Sequence, residues 1–134
     1  MPTMRCTLLL GVALAFGAAQ AASSDRWVQV KEGAWQIDSA TLSAVRASFA
    51  TQVLALAKQS GKHLLPLRSY WLQTQGQLDG GVRVVLVNAL CDVPSGADLR
   101  ADLVTVDDGG NCYFTVKYDP STHRFFELIV NGVA

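Results

Sequence analysis

Few residues in this 134-residue chain have the types and spacing for covalent or metal chemistry. The two histidines are His63 and His123. Either could act as a general base, but only with a nucleophile or metal placed beside it. No GxSxG, HExxH or comparable spacing accompanies them. His63 follows a helix end and His123 sits in a hairpin loop, so both read as exposed turn residues. Asp107, Asp108 and Asn111 invite comparison with a calcium loop. Such a loop alternates its acidic ligands and closes on Glu. Asp107-Asp108-Gly109-Gly110-Asn111 does neither and reads as a turn. Gly76, Gly80 and Gly81 make no phosphate cradle, because no helix with Lys or Ser follows them. The sequence thus offers no catalytic residue, no metal ligand and no cofactor site.

The cysteines depend on where the chain goes. Met1 to Ala21 has the form of a signal peptide: Arg5, then the apolar Cys6 to Phe16, then small residues ending Ala19-Gln20-Ala21. The apolar run falls short of the ~20 residues a spanning helix needs. Cleavage after Ala21 leaves Ala22 to Ala134 as a single secreted or periplasmic domain, with no second apolar run to anchor it in a membrane. Cys6 departs with the leader. Cys91 and Cys112 then have one possible pairing. In an oxidising compartment they form a disulfide, worth roughly 3 kcal/mol in the chain-entropy model. The rival reading, a reactive thiol or metal pair, lacks both CxxC spacing and a third ligand.

Composition narrows the partners. Eleven basic side chains balance eleven acidic ones, so there is no electrostatic footprint for nucleic acid. Half the residues are hydrophobic, enough to form a core.

The elements that position these residues can be read from periodicity. Asp25 to Lys31 alternates as a short strand. Leu42, Val45, Phe49, Val53 and Leu56 form one apolar stripe of a helix from Ser39 to Ser60. Gln52 and Lys58 are placed on its solvent side. Asp38 is its N-cap, Ile37 and Leu42 fit a hydrophobic staple, and Gly61 fits C′. Leu67 to Gln77 then alternates, with Tyr70, Leu72 and Thr74 on one face and Leu67, Ser69, Trp71 and Gln73 on the other. Asp79-Gly80-Gly81 turns the chain into Val82 to Cys91, apolar on both faces and hence central in its sheet. Asp92 to Asp98 is a loop. Leu99 to Val106 reads as a further strand, or Ala97 to Leu103 as a helical turn. Cys112 to Tyr118 and Arg124 to Val130 form a hairpin around Asp119 to His123, the last strand facing inward through Phe126, Leu128 and Val130. The expected class is α+β, with one long helix on a curved antiparallel sheet of four to five strands.

This order of elements resembles the cystatin-like architecture across Trp27 to Val130. Cystatins place a short strand before one long helix wrapped by an antiparallel meander. Secreted members carry a disulfide between their third and fourth strands, where Cys91 and Cys112 stand. Inhibitory cystatins use a Gly ahead of the first strand, a Gln-x-Val-x-Gly hairpin and a Pro-Trp hairpin. Here Gly33 follows the first strand, Gln77 to Gly81 has Asp79 in place of Val, and Pro120 precedes Ser121. Leu90-Cys91, Asp108 to Phe114, Tyr118-Asp119-Pro120 and Asn131-Gly132 also look like pieces of small secreted bacterial proteins.

The remaining chemistry is aromatic. Trp27, Trp35 and Trp71 each carry an N–H that needs a partner. Tyr70 and Trp71 must point to opposite faces of one strand. Gln73 and Gln75 share the face of Trp71 and are poor core residues. The expected recognition surface is therefore Trp71, Gln73 and Gln75, flanked by Gln77, Gly80 and Gly81, unless a loop covers that face. The functional expectation is a non-enzymatic binding domain, an inhibitor or immunity-type protein with a protein partner. The alternative is a small cone-shaped hydrolase or ligand carrier with a pocket between helix and sheet.

Overall fold

The structure is a computed structural model that describes residues 25–133. The expected signal peptide and its cleavage site lie outside the described residues.

The helix, α1 (Ser39–Gln59), forms where the apolar stripe places it. The Asp38 carboxylate accepts from the Thr41 N–H at 2.7 Å. At the other end Gly61 adopts φ +63°. Its N–H donates to the Lys58 carbonyl, and the Lys62 N–H to that of Ala57, a Schellman closure that a residue with a Cβ would strain. Val45, Phe49, Val53 and Ala57 are buried. Leu42 and Leu56 sit half-buried at the margins of the stripe. By length and mean hydropathy (1.2) α1 also passes as a membrane span, contrary to the expectation of no second such run. Its apolar stripe is spent on the domain's own core.

Five strands make one sheet in the order β1-β2-β3-β4-β5: β1 (Trp27–Gln29), β2 (Trp71–Asp79), β3 (Val82–Leu90), β4 (Tyr113–Asp119) and β5 (Arg124–Val130). The sheet is mixed, not antiparallel throughout. β1 runs parallel to β2, because α1 acts as a crossover that carries the chain back to the end of the sheet where β1 began. The other pairings are antiparallel, and β3 is central.

One face of the sheet takes α1. Tyr70, Leu72, Val85, Val87, Ala89, Phe114, Val116 and Tyr118 are buried there against the helix. Phe49 is the hub. Its ring lies 5.0 Å from Trp27, 5.7 Å from Phe125 and 6.5 Å from Phe114. Such aromatic pairs add to the free energy of apolar burial.

Three strand readings need correction. Leu67–Ser69 is a 3-10 turn rather than strand. Pro66, at φ −51°, starts a turn closed by the Ser69 N–H on its carbonyl at 2.8 Å, so pairing begins only at Trp71. Leu99 to Val106 is not a strand: the Ala101 and Asp102 N–H groups donate to the Asp98 carbonyl in a single turn within Ala97 to Leu103, as the alternative expected, and open coil follows. In β5 the inward residue is Phe125, not Phe126. Glu127 takes φ +50°, and the register slips by one residue between Thr115 and Lys117. This bulge flips the facing, so Phe125 lies in the core before it and Leu128 and Val130 pack on the core after it. Gln52 is likewise not simply solvated. Its amide donates to the His123 carbonyl at 2.9 Å and accepts from the Phe125 N–H at 2.8 Å, capping the outer edge of β5 as a neighbouring strand would.

Candidate functional site

The face of the sheet away from α1 carries the residues expected to meet a partner. A loop, residues 92–109, lies over its lower half. Gln73 is fully buried beneath it and is not a surface residue. Its Nε2 donates to the carbonyls of Leu99 (2.9 Å) and Asp102 (2.8 Å). Its Oε1 accepts from the Val104 N–H and from Asn88 Nδ2, each at 2.9 Å. Asn88 Nδ2 also donates to the Val104 carbonyl at 2.8 Å. Beyond β5, Asn131 Nδ2 holds the carbonyls of Val106 and Asp108. Three side-chain amides thus bind loop backbone that would otherwise lack partners under cover. A glutamine in mid-strand reads as polar and exposed. Its ability to satisfy a buried loop was the signal overlooked.

The other expected surface residues separate into two groups. Trp71 is half-buried, with the Arg26 guanidinium 5.3 Å over its ring. Gln75 Nε2 donates to the Glu32 carbonyl at 2.8 Å, and Gln77 Nε2 to Gln75 Oε1 at 2.9 Å. The Gln75 amide ties the segment preceding Trp35 to β2, and the Gln77 amide holds Gln75 in place. Gly80 and Gly81 alone remain fully free, at the tip of the β2–β3 hairpin. Trp71, Gln73 and Gln75 therefore form no continuous recognition patch.

The hairpin end holds a different cluster. Leu78 and Val82 flank the turn and are 54% and 58% exposed. Both hairpin glycines have positive φ, and nothing lies within 4 Å of where a Cβ would stand on either. Nothing packs over the two turn glycines, while Asp79 before them is bonded to Lys117 at 3.0 Å. Behind the tip the Trp35 indole N–H is shared by the carbonyls of Gln77 (3.0 Å) and Val84 (3.1 Å). Arg83 stacks 5.3 Å over that indole. The turn of the β4–β5 hairpin reaches the same end. Pro120 and Ser121 share a cleft of about 260 Å³ with Trp35, Val82 and Arg83.

Around that second turn Asp119, Ser121 and His123 follow one another at intervals of two. They are not a catalytic triad. The Ser121 hydroxyl donates to Asp119 Oδ1 at 2.7 Å, and the histidine Nδ1 lies 3.0 Å from the Tyr118 hydroxyl. The serine is thus hydrogen-bonded to the acid of its own turn, and the imidazole to a tyrosine whose pKa burial raises. His63 is exposed beyond the helix. Cys91 and Cys112 are bonded to each other, and the Cys91 N–H donates to the Cys112 carbonyl at 2.8 Å. Such a bond is at home in an oxidising compartment. The chain matches no protein-family model, no curated protein and no solved structure.

Proposed function

We propose that this chain is a non-enzymatic secreted or periplasmic binding domain, of the inhibitor or immunity-protein kind, that meets a protein partner with its hairpin end. The observation that carries this reading is the β2–β3 tip. Two large aliphatic side chains, Leu78 and Val82, stand exposed on either side of an unobstructed turn braced from behind by Trp35. A braced tip bearing two exposed aliphatic side chains complements a concave pocket on a folded partner, and rigid anchors lose little entropy on binding. The two hairpins at this end are those that inhibitory cystatins use, which agrees with the element order, although Asp79 and Ser121 depart from the cystatin residues. The filled core between α1 and the sheet weighs against a carrier or hydrolase pocket there.

The test is a Leu78→Asp, Val82→Asp double variant. A protein captured from periplasmic extract by the wild-type domain is purified, and its affinity for both forms is measured by calorimetry. The variant should fold normally and lose about 2 kcal/mol or more, roughly thirtyfold in affinity. Equal affinity for both forms would show that the partner docks elsewhere.

A further inference from the structure

Asn131 and Gly132 follow directly on β5. Asn131 is the only asparagine followed by glycine; Asn88 precedes Ala89 and Asn111 precedes Cys112. Such a pair has a chemistry of its own. The backbone nitrogen after an asparagine can attack the side-chain Cγ, and a Cβ on the attacking residue hinders its approach. Glycine has none. The Gly132 N–H meets no acceptor among the described residues. Gly132 is exposed, and nothing lies within 4 Å of where its Cβ would stand. The other two asparagines are less open to attack. Ala89 is fully buried in the central strand, between β2 and β4, and Cys112 carries the disulfide.

Asn131 also holds the far end of the covering loop. Its Nδ2 donates to the carbonyls of Val106 (2.5 Å) and Asp108 (3.0 Å). Two carbonyl partners identify that atom as the nitrogen. The backbone is tied on both sides of it. The Asn131 N–H donates to the Tyr113 carbonyl, and the Gly132 carbonyl accepts from the Gly110 N–H, each at 3.0 Å. The amide nitrogen that the attack would expel is therefore the one that latches the loop. While both carbonyls grip it, Cγ is not free to turn onto the Gly132 nitrogen. Once residues 106–108 lift, it is.

We infer that Asn131 is a site of spontaneous deamidation, and that the reaction makes an opening of the loop permanent. A bond forms between the Gly132 nitrogen and Asn131 Cγ, and the Cγ–Nδ2 bond breaks. The Gly132 proton passes through water to the departing nitrogen, which leaves as ammonia. Water then opens the five-membered imide at either carbonyl. The products are aspartate, and isoaspartate with the main chain rerouted through the former side chain. Either has a carboxylate in place of the amide. An ionised carboxylate only accepts hydrogen bonds, so it cannot hold the Val106 and Asp108 carbonyls. It also adds a like charge beside Asp107 and Asp108. The loop end then has no latch to return to. The site does not depend on the protein-binding reading, because it lies at the end of β5 remote from the hairpins.

The experiment is peptide mapping by mass spectrometry of the mature, oxidised domain during storage at mildly alkaline pH. The exchange of NH2 for OH should appear at Asn131, with Asn88 and Asn111 intact. Gly132→Ala has open space for its methyl group and should fold normally while slowing the reaction by roughly tenfold or more. Unfolding the wild-type protein in urea frees the amide and should speed the reaction at Asn131 by roughly tenfold or more. Asn131→Asp, one of the two products, should be cut by protease within residues 105–109, where the native protein resists. Should that variant not fold, the aged wild-type fraction, separated by its added charge, takes its place. Four results would overturn the assignment. These are an intact Asn131 or equal reaction at Asn88 or Asn111, an unchanged rate in Gly132→Ala, equal rates in native and unfolded protein, and a product form as resistant to protease as the starting protein.

Discussion

Asn88 Nδ2 donates to Gln73 Oε1 at 2.9 Å across the β2–β3 ladder, joining two amides that are 7% and 0% exposed. The pair is the anchor of the covering loop. Gln73→Leu keeps most of the volume but leaves the carbonyls of Leu99 and Asp102, the Val104 N–H and one Asn88 hydrogen without their partner. Each buried orphan costs ~1–3 kcal/mol, less where water can enter. The expected loss is about 3 kcal/mol in urea unfolding, with rapid hydrogen exchange at Val104 and new proteolysis within 92–109. Unchanged exchange at Val104 would mean that the loop is held by other contacts.

Gly76 has no space for a side chain. A Cβ there would lie 2.2 Å from the Trp35 carbonyl oxygen, and the Ala34 N–H is bonded to the Gly76 carbonyl at 2.8 Å, so neither backbone can withdraw alone. Gly76→Ala should cost about 3 kcal/mol, the upper range for overpacking, and should loosen the Trp35 brace behind the hairpin tip. Loss of Trp35 indole N–H protection by NMR would report that second effect.

The helix and its caps were legible because their signals are local. Asp38, Gly61 and the stripe through Val45, Phe49 and Val53 need no knowledge of the rest of the chain. Alternation set Tyr70 opposite Trp71, and the glutamines beside Trp71 put Tyr70 on the core side. Tyr70 is fully buried, but so is Gln73, so the reason for the choice was only half right. The direction of β1 was not legible, since three residues carry no information about parallel or antiparallel pairing. The β5 bulge was hidden because Glu127 is not a residue that announces a positive φ. The open face failed for a different reason. Whether Gln73 is exposed or buried depends on a loop that starts nearly twenty residues later, and the loop's lack of periodicity concealed that it packs down. The hairpin glycines were found, but Val82 was read as an ordinary strand residue, and Leu78, between the strand and the turn, was given no role.

The disulfide joins loop ends that the sheet already holds together, since Cys91 and Cys112 also share a backbone hydrogen bond. Its effect should therefore fall mainly on the unfolded chain. Cys112→Ser should lower global stability by roughly 2–4 kcal/mol and leave hydrogen exchange at residues 99–106 close to wild type under native conditions. Collapse of protection in that segment would show instead that the bond, and not the three amides, keeps the loop down.

The acid limit of stability should be set by three aspartates. Asp38 is held below the ordinary carboxyl range chiefly by the Thr41 backbone N–H. Asp25 is held there by the Arg46 side chain first and the Trp27 N–H second, and Asp119 by the Ser121 hydroxyl and then its N–H. A folded value below the unfolded one means the native state binds protons less readily. The contribution is then complete above the unfolded value, near 3.9 for Asp, and is lost as pH falls through the folded values. Urea midpoints should stay level from neutrality down to about pH 5 and decline below about pH 4. Asp38→Asn keeps an N-cap acceptor but removes its proton linkage, so its acid slope should be shallower than wild type at an almost unchanged neutral midpoint. A decline already under way between about pH 7 and 5 would show that groups other than these three aspartates set the acid limit.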